Sequence, residues 1–316
     1  MCPPRPNTCL PKAPPERGLP GAGNGRLRTF GPTLGSSVST HRPAAAPRPA
    51  LLIPGRFITT AVLYGIACAL YLAHLTRGRE GLTRATNVTL GLAVALHVAY
   101  LVGDVAAGSS LVGDIHRVLS LVSFAIVSAF LATTLQRPVT VLGAFITPVT
   151  LLFFLASGLG HSVSSVPPEV RSRLLPFHIG VNVLGVSAFA LAFGAALAYV
   201  LQERMLRRKE LGGLFQRLPA LDVLDSLSFR ASLVGFSLLT VGVVTGALWM
   251  AREHAGRLML EPAPLMGIAT WWVFASILGL RVMSGWRGRR AALGTIVGFL
   301  CAVSVLAFYV LRASGG

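Results

Sequence analysis

From about residue 51 onward, long apolar runs alternate with short polar bursts. Eight such runs occupy roughly 57–75, 87–107, 117–135, 138–159, 177–201, 229–250, 264–283 and 291–311. Each is long enough to cross a hydrocarbon layer of about 30 Å as a helix, which takes roughly 20 apolar residues. No stretch alternates every second residue as a lipid-facing barrel strand does, and only helices or closed barrels satisfy their backbone groups in lipid. The pattern predicts an all-α polytopic membrane protein, a bundle of eight transmembrane helices. Residues 1–50 stand apart: they are rich in Pro, Gly, Ala and Arg, lack periodicity and cannot bury a core. They read as a disordered tail, either a targeting segment or the product of a start codon assigned too early. Residues 51–316 read as one membrane domain.

The polar bursts orient the helices. Loops one, three, five and seven hold 13 Lys and Arg, against 5 in loops two, four and six. The positive-inside rule therefore places loops two, four and six, and with them both termini, outside. The fifth loop is the longest. Its basic first half, around Arg204, Arg207 and Arg208, continues the fifth span. Leu221, Val223, Leu224 and Leu227 predict a short interfacial helix with Asp222 and Asp225 toward water.

Composition agrees with lipid as the solvent. Of 316 residues 53% are hydrophobic and 12% charged, and the mean hydropathy is +0.68, whereas soluble domains carry about 25% charged residues. The net charge of +17 does not indicate a nucleic-acid partner. The basic residues fall in bursts between spans, and no basic helix face with interleaved aromatics is present. Membrane lipids are the expected surroundings.

Candidate chemistry comes from polar residues inside the spans, where ionisable groups are expensive. His97 lies near the middle of the second span, with Asp104 seven residues on and so on the same face. His97 reads either as an interhelical hydrogen-bonding partner or as a ligand. His178 opens the fifth span on the outer side, and Asn182, Gly185 and Phe189 follow at helical spacing on a stripe facing the bundle interior. His74, His116 and His161 sit at span ends or in loops, where interfacial placement explains them. The stretch Gly246–Arg290 joins two spans by a short polar loop with Trp249, Trp271 and Trp272 near its ends, the first place to look for a ligand. Metal-site, P-loop and GxGxxG spacings are absent. Cys2, Cys9, Cys68 and Cys301 form no CxxC.

Four segments carry a family likeness: LAVALHVAYLV, FHIGVNVLGVSAFALAFGAALAYVLQERMLRRK, GALW with GRLMLEP, and TWWVFASILGLRVMSGWRGRRAA. Over about residues 55–311 the chain resembles the haem-handling cytochrome c assembly proteins, which have an external tryptophan-rich loop of pattern WGxxWxWDP and include a relative that modulates haem synthesis. The resemblance implies non-covalent, b-type haem with His178 as an external axial ligand and His97 as a ligand within the membrane. It further implies that Trp249, Trp271 and Glu261 line the site, with Gly256 and Pro262 shaping its loop. In that loop only Gly256, Glu261 and Pro262 echo the pattern, and Leu258, Met259 and Leu260 stand where tryptophans would. The family's second external histidine follows the eighth span, where this sequence reads YVLRASGG. Met259 and His254 are the candidate substitutes.

The implied role is haem binding and delivery toward the outer face of a bacterial cytoplasmic membrane for cytochrome c biogenesis. The implied partners are apocytochrome c and other assembly membrane proteins. No chemical step is expected of an enzyme kind; ligation and orientation of the cofactor are the contribution. Two other readings stand beside it. One is a regulator or scaffold of haem synthesis without transport. The other is an unrelated secondary transporter, for which His97 and Asp104 would form a proton path, although no inverted repeat is visible.

Overall fold

The computed structural model describes residues 52–77, 80–136, 139–158, 174–210, 212–253 and 262–314. The tail 1–50 lies outside the described residues, as do Gly256, Glu261, His254, Met259 and His161. Among the described residues the chain is all-α. The helices are α1 (Leu52–Arg77), α2 (Glu80–Ala106), α3 (Ile115–Gln136), α4 (Gly143–Ser157), α5 (Leu174–Arg207), α6 (Gly213–Arg217), α7 (Leu221–Glu253), α8 (Pro262–Met283) and α9 (Arg289–Ser314). Eight of them, all except α6, are long and apolar enough to cross a membrane, a short 3₁₀ turn at Thr140–Leu142 leading into the fourth. The protein is an integral membrane protein, and its eight spans fall where the apolar runs predict.

Helix α5 is the centre. Its hydrophobic stretch is the most buried of the eight, and α3, α4, α7 and α9 all pack on it. Its sequence explains the position. Gly185, Ala188, Ala192, Ala195 and Ala196 are small and buried, so neighbouring backbones approach closely without a hydrophobic driving force, as lipid-embedded helices require. The outward faces remain apolar: Val62, Leu92, Val102, Leu152 and Val244 are each more than half exposed. In water such a surface would aggregate; in lipid it is the solvated one.

The segment after α5 differs from its sequence reading. Residues 221–227 form no separate interfacial helix. They are the first turns of α7, which runs unbroken for 33 residues; the separate short helix is α6. Nor does Asp225 face water. Its carboxylate accepts a hydrogen bond from the Arg281 guanidinium at 2.6 Å, and the two side chains are only 15% and 9% exposed. The same guanidinium lies 4.5 Å from the centre of the Phe229 ring and donates to the Asp225 carbonyl at 3.1 Å. A cation this well matched draws the acid inward, and the helix continues through it. Asp222, exposed, keeps the predicted orientation.

Candidate functional site

The start of α3, the start of α5, the end of α7, the start of α8 and the end of α9 converge at one end of the bundle around a cavity of about 840 Å³. This size is within the 300–1,000 Å³ of small-molecule and cofactor sites. The wall is mainly aliphatic, with the Trp249 indole and a few convergent polar groups, among them His178, Asn182, His116 and Arg312. The sequence reading puts these ends of the helices on one face, and the cavity joins them there.

His178 is held by α7. Its Nδ1 lies 2.9 Å from the Gly242 carbonyl and 3.2 Å from the Thr245 hydroxyl oxygen. A carbonyl only accepts, so Nδ1 carries the proton and Nε2 keeps an in-plane lone pair. Thr245 gives its own hydroxyl proton to the Val241 carbonyl at 2.8 Å, which turns an oxygen lone pair toward the imidazole. The Asn182 amide donates to the His178 carbonyl at 2.8 Å and approaches Nε2 at 3.3 Å. Two glycines make room for this arrangement. A Cβ at Gly246 would lie 2.8 Å from Cε1 of the ring, and one at Gly242 would overlap the Asn182 side-chain oxygen. The polar stripe of α5 read from the sequence therefore fits against a glycine stripe of α7.

The other predicted site residues divide. Trp249 lines the same cavity as His178. Trp271 does not: its indole N–H donates to the Thr240 hydroxyl at 3.0 Å, and its ring packs on Phe236 and Trp272 between α7 and α8. Pro262 is exposed at the first position of α8, a position that suits proline because no N–H is needed there.

His97 lies elsewhere, between α1, α2 and α3. It is fully buried, its Nδ1 2.9 Å from the Tyr64 hydroxyl and its Nε2 2.9 Å from the Ser120 hydroxyl. Phe124, Phe154, Tyr64 and Tyr100 surround the ring, with centroids 4.8–6.2 Å away. Both ring nitrogens are engaged, so iron ligation here would break one of these hydrogen bonds and open the aromatic enclosure. Asp104, on the same helix, is drawn toward Arg117 at 3.9 Å.

His97→Leu is expected to lower unfolding free energy by roughly 2–3 kcal/mol. Interhelical hydrogen bonds in lipid average well under 1 kcal/mol, but an abandoned buried hydroxyl adds about 1–3 kcal/mol. Adding Tyr64→Phe and Ser120→Ala should restore most of the loss in detergent unfolding. A single variant as stable as the parent would show that these two hydrogen bonds do not hold α1, α2 and α3 together.

His116 sits in the first turn of α3, at the span end where the sequence places it, and its side chain turns inward. It is 7% exposed, lines the cavity, and its Nδ1 is buried with no hydrogen-bond partner. The loop charges place the start of the third span on the same face as His178; the inward turn of the side chain is what the sequence does not display.

Among the described residues no three His, Cys, Asp or Glu side chains are grouped to hold a bare metal ion. The fold and site together define a polytopic helical membrane protein with an imidazole-bearing apolar cavity at one end of its bundle. Residues 86–315 match the cytochrome C assembly protein family, and the chain belongs to that family. It is 32% identical over 161 residues to the cytochrome c biogenesis protein CcsA of Parasynechococcus marenigrum, covering 44% of this chain and 53% of the relative. It is 26% identical over 185 residues to the CcsA of Mesostigma viride, covering 50% and 60%, and 27% over 188 residues to that of Guillardia theta, covering 52% and 62%. The chain thus spans between half and two thirds of the length of these relatives. No solved structure matches.

Proposed function

We propose that the chain binds haem non-covalently in the end cavity, with Nε2 of His178 as an axial ligand, and serves haem supply to apocytochrome c during cytochrome c biogenesis. The observation that carries this reading is the locked tautomer. An imidazole whose Nδ1–H is tied to a carbonyl keeps Nε2 as its basic nitrogen, and iron would take that lone pair in exchange for the 3.3 Å approach of the Asn182 amide; outer partners orient metal-binding histidines in this way. The surroundings fit the group. The aliphatic wall and the Trp249 indole suit a flat macrocycle, and Arg312 at the rim is the chemistry that carboxylate side chains of a porphyrin require. When bound, the iron porphyrin supplies the redox-active cargo; the chain's residues bind it, fix its orientation and limit water around it.

In this reading the cavity end faces outward across a bacterial cytoplasmic membrane, as the loop charges indicate, and other assembly membrane proteins act beside it. His97, enclosed by its two hydroxyl partners, serves as the hydrogen-bond hub of α1–α3, and Trp271 braces α7 against α8.

Titration of ferric haem into the detergent-purified protein tests the reading: a saturable, red-shifted Soret band at one haem per chain is expected, and its absence overturns binding. Expression in cells lacking their own assembly factor tests the role. Restored c-type cytochromes support delivery. Binding without restoration favours the regulatory reading, to which the replacement of the loop tryptophans by Leu258, Met259 and Leu260 lends weight.

A further inference from the structure

We infer that His116 is the second axial ligand, completing six-coordinate, bis-imidazole haem with His178; the inference rests on the haem reading above. Two observations carry it, one from topology and one from an unmatched atom.

The axial ligands of a haem approach from opposite faces, so they must come from different walls of the cavity. The His178 ring lies against α7, beside Gly242 and Gly246. His116 comes from α3, which packs chiefly on α4 and α5 and, among the described residues, has no substantial packing against α7. The two residues thus line one cavity from different helices, α3 and α5. Met250, the other soft donor in the wall, sits on α7 one turn beyond Gly246, on the side that His178 already occupies.

The unmatched atom is Nδ1 of His116. A buried polar nitrogen without a partner costs about 1–3 kcal/mol, and native structures rarely keep one unless a ligand or function uses it. The residue is also placed with care. Asp114, itself part of the cavity wall, accepts a hydrogen bond from the His116 backbone N–H at 3.3 Å and so fixes the first turn of α3. An imidazole at a helix start, part of the cavity wall and with one ring nitrogen unmatched, has the features of a metal ligand.

The test uses the full chain in detergent, loaded with ferric haem, and reads spin state by electron paramagnetic resonance. The parent protein is expected to show a low-spin signal. His116→Leu should retain haem but turn it high-spin, with added imidazole restoring the low-spin form; Met250→Leu should leave the signal unchanged. In the haem-free protein the same His116→Leu change should keep or raise the unfolding temperature, because it removes an unsatisfied group, so loss of the signal is not loss of the fold. A low-spin signal that survives in His116→Leu overturns the ligand assignment while the haem reading stands. A high-spin parent does the same. A parent that takes up no haem removes both.

Discussion

Haem affinity is expected to collapse when the imidazole at position 178 is removed, and to fall by on the order of 10–100-fold when it is merely displaced. His178→Ala deletes the donor. Gly246→Val leaves it in place but puts a side chain where the ring now lies, 2.8 Å from Cε1, so the ring must leave the Gly242 carbonyl. Overpacking of this kind costs about 1–3 kcal/mol in its own right, so the unfolding of each variant is measured beside its haem titration. Gly180→Ala is the neutral comparison. That glycine is half a turn from His178 on the same helix, with open space where its Cβ would go, so the change should stabilise α5 by roughly 0.5–1 kcal/mol and leave haem titration unaltered. Equal affinity in Gly246→Val and the parent would mean that the α7 carbonyl does not orient the ligand.

The second large effect is expected at the opposite end of the bundle. Arg281→Met should lower stability by about 3–5 kcal/mol, because it strands the Asp225 carboxylate between α7 and α8 without its cation. Methionine keeps much of the side-chain volume, so the loss is one of charge pairing and of the contact over Phe229. The double variant Arg281→Met, Asp225→Leu should recover most of the loss, since an apolar pair of similar size replaces a desolvated one. Thermal unfolding in detergent distinguishes these outcomes, and a single variant that melts with the parent would show the pair to be solvated.

The same pair explains what the sequence discloses and what it withholds. The eight spans are legible because each depends on its own composition, the apolar run and the polar burst that ends it. The continuity of α7 is not, because Asp225 is made compatible with burial by a residue 56 positions away. His178 could be singled out because Asn182, Gly185 and Phe189 mark one face of its helix, and the facing surface proved to be the glycines of α7. His116 gave no such mark. Helical spacing assigns residues to a face but does not say which neighbour that face meets. Trp271 shows the same limit from the other side: its position near the span end suggested a ligand wall, and the rotation of α8 gave it Thr240 instead.

The length of α5 has a consequence of its own. Thirty-four residues make a rod of roughly 51 Å in a hydrocarbon layer of about 30 Å. His178 sits in its second turn, and Arg207 in its last with Glu203 one turn before. A rod this stiff moves its two tips together: an inclination of 5° would carry one tip about 4 Å relative to the other. Anything that grips the charged tip on one side of the bilayer therefore holds a handle on the imidazole at the far side.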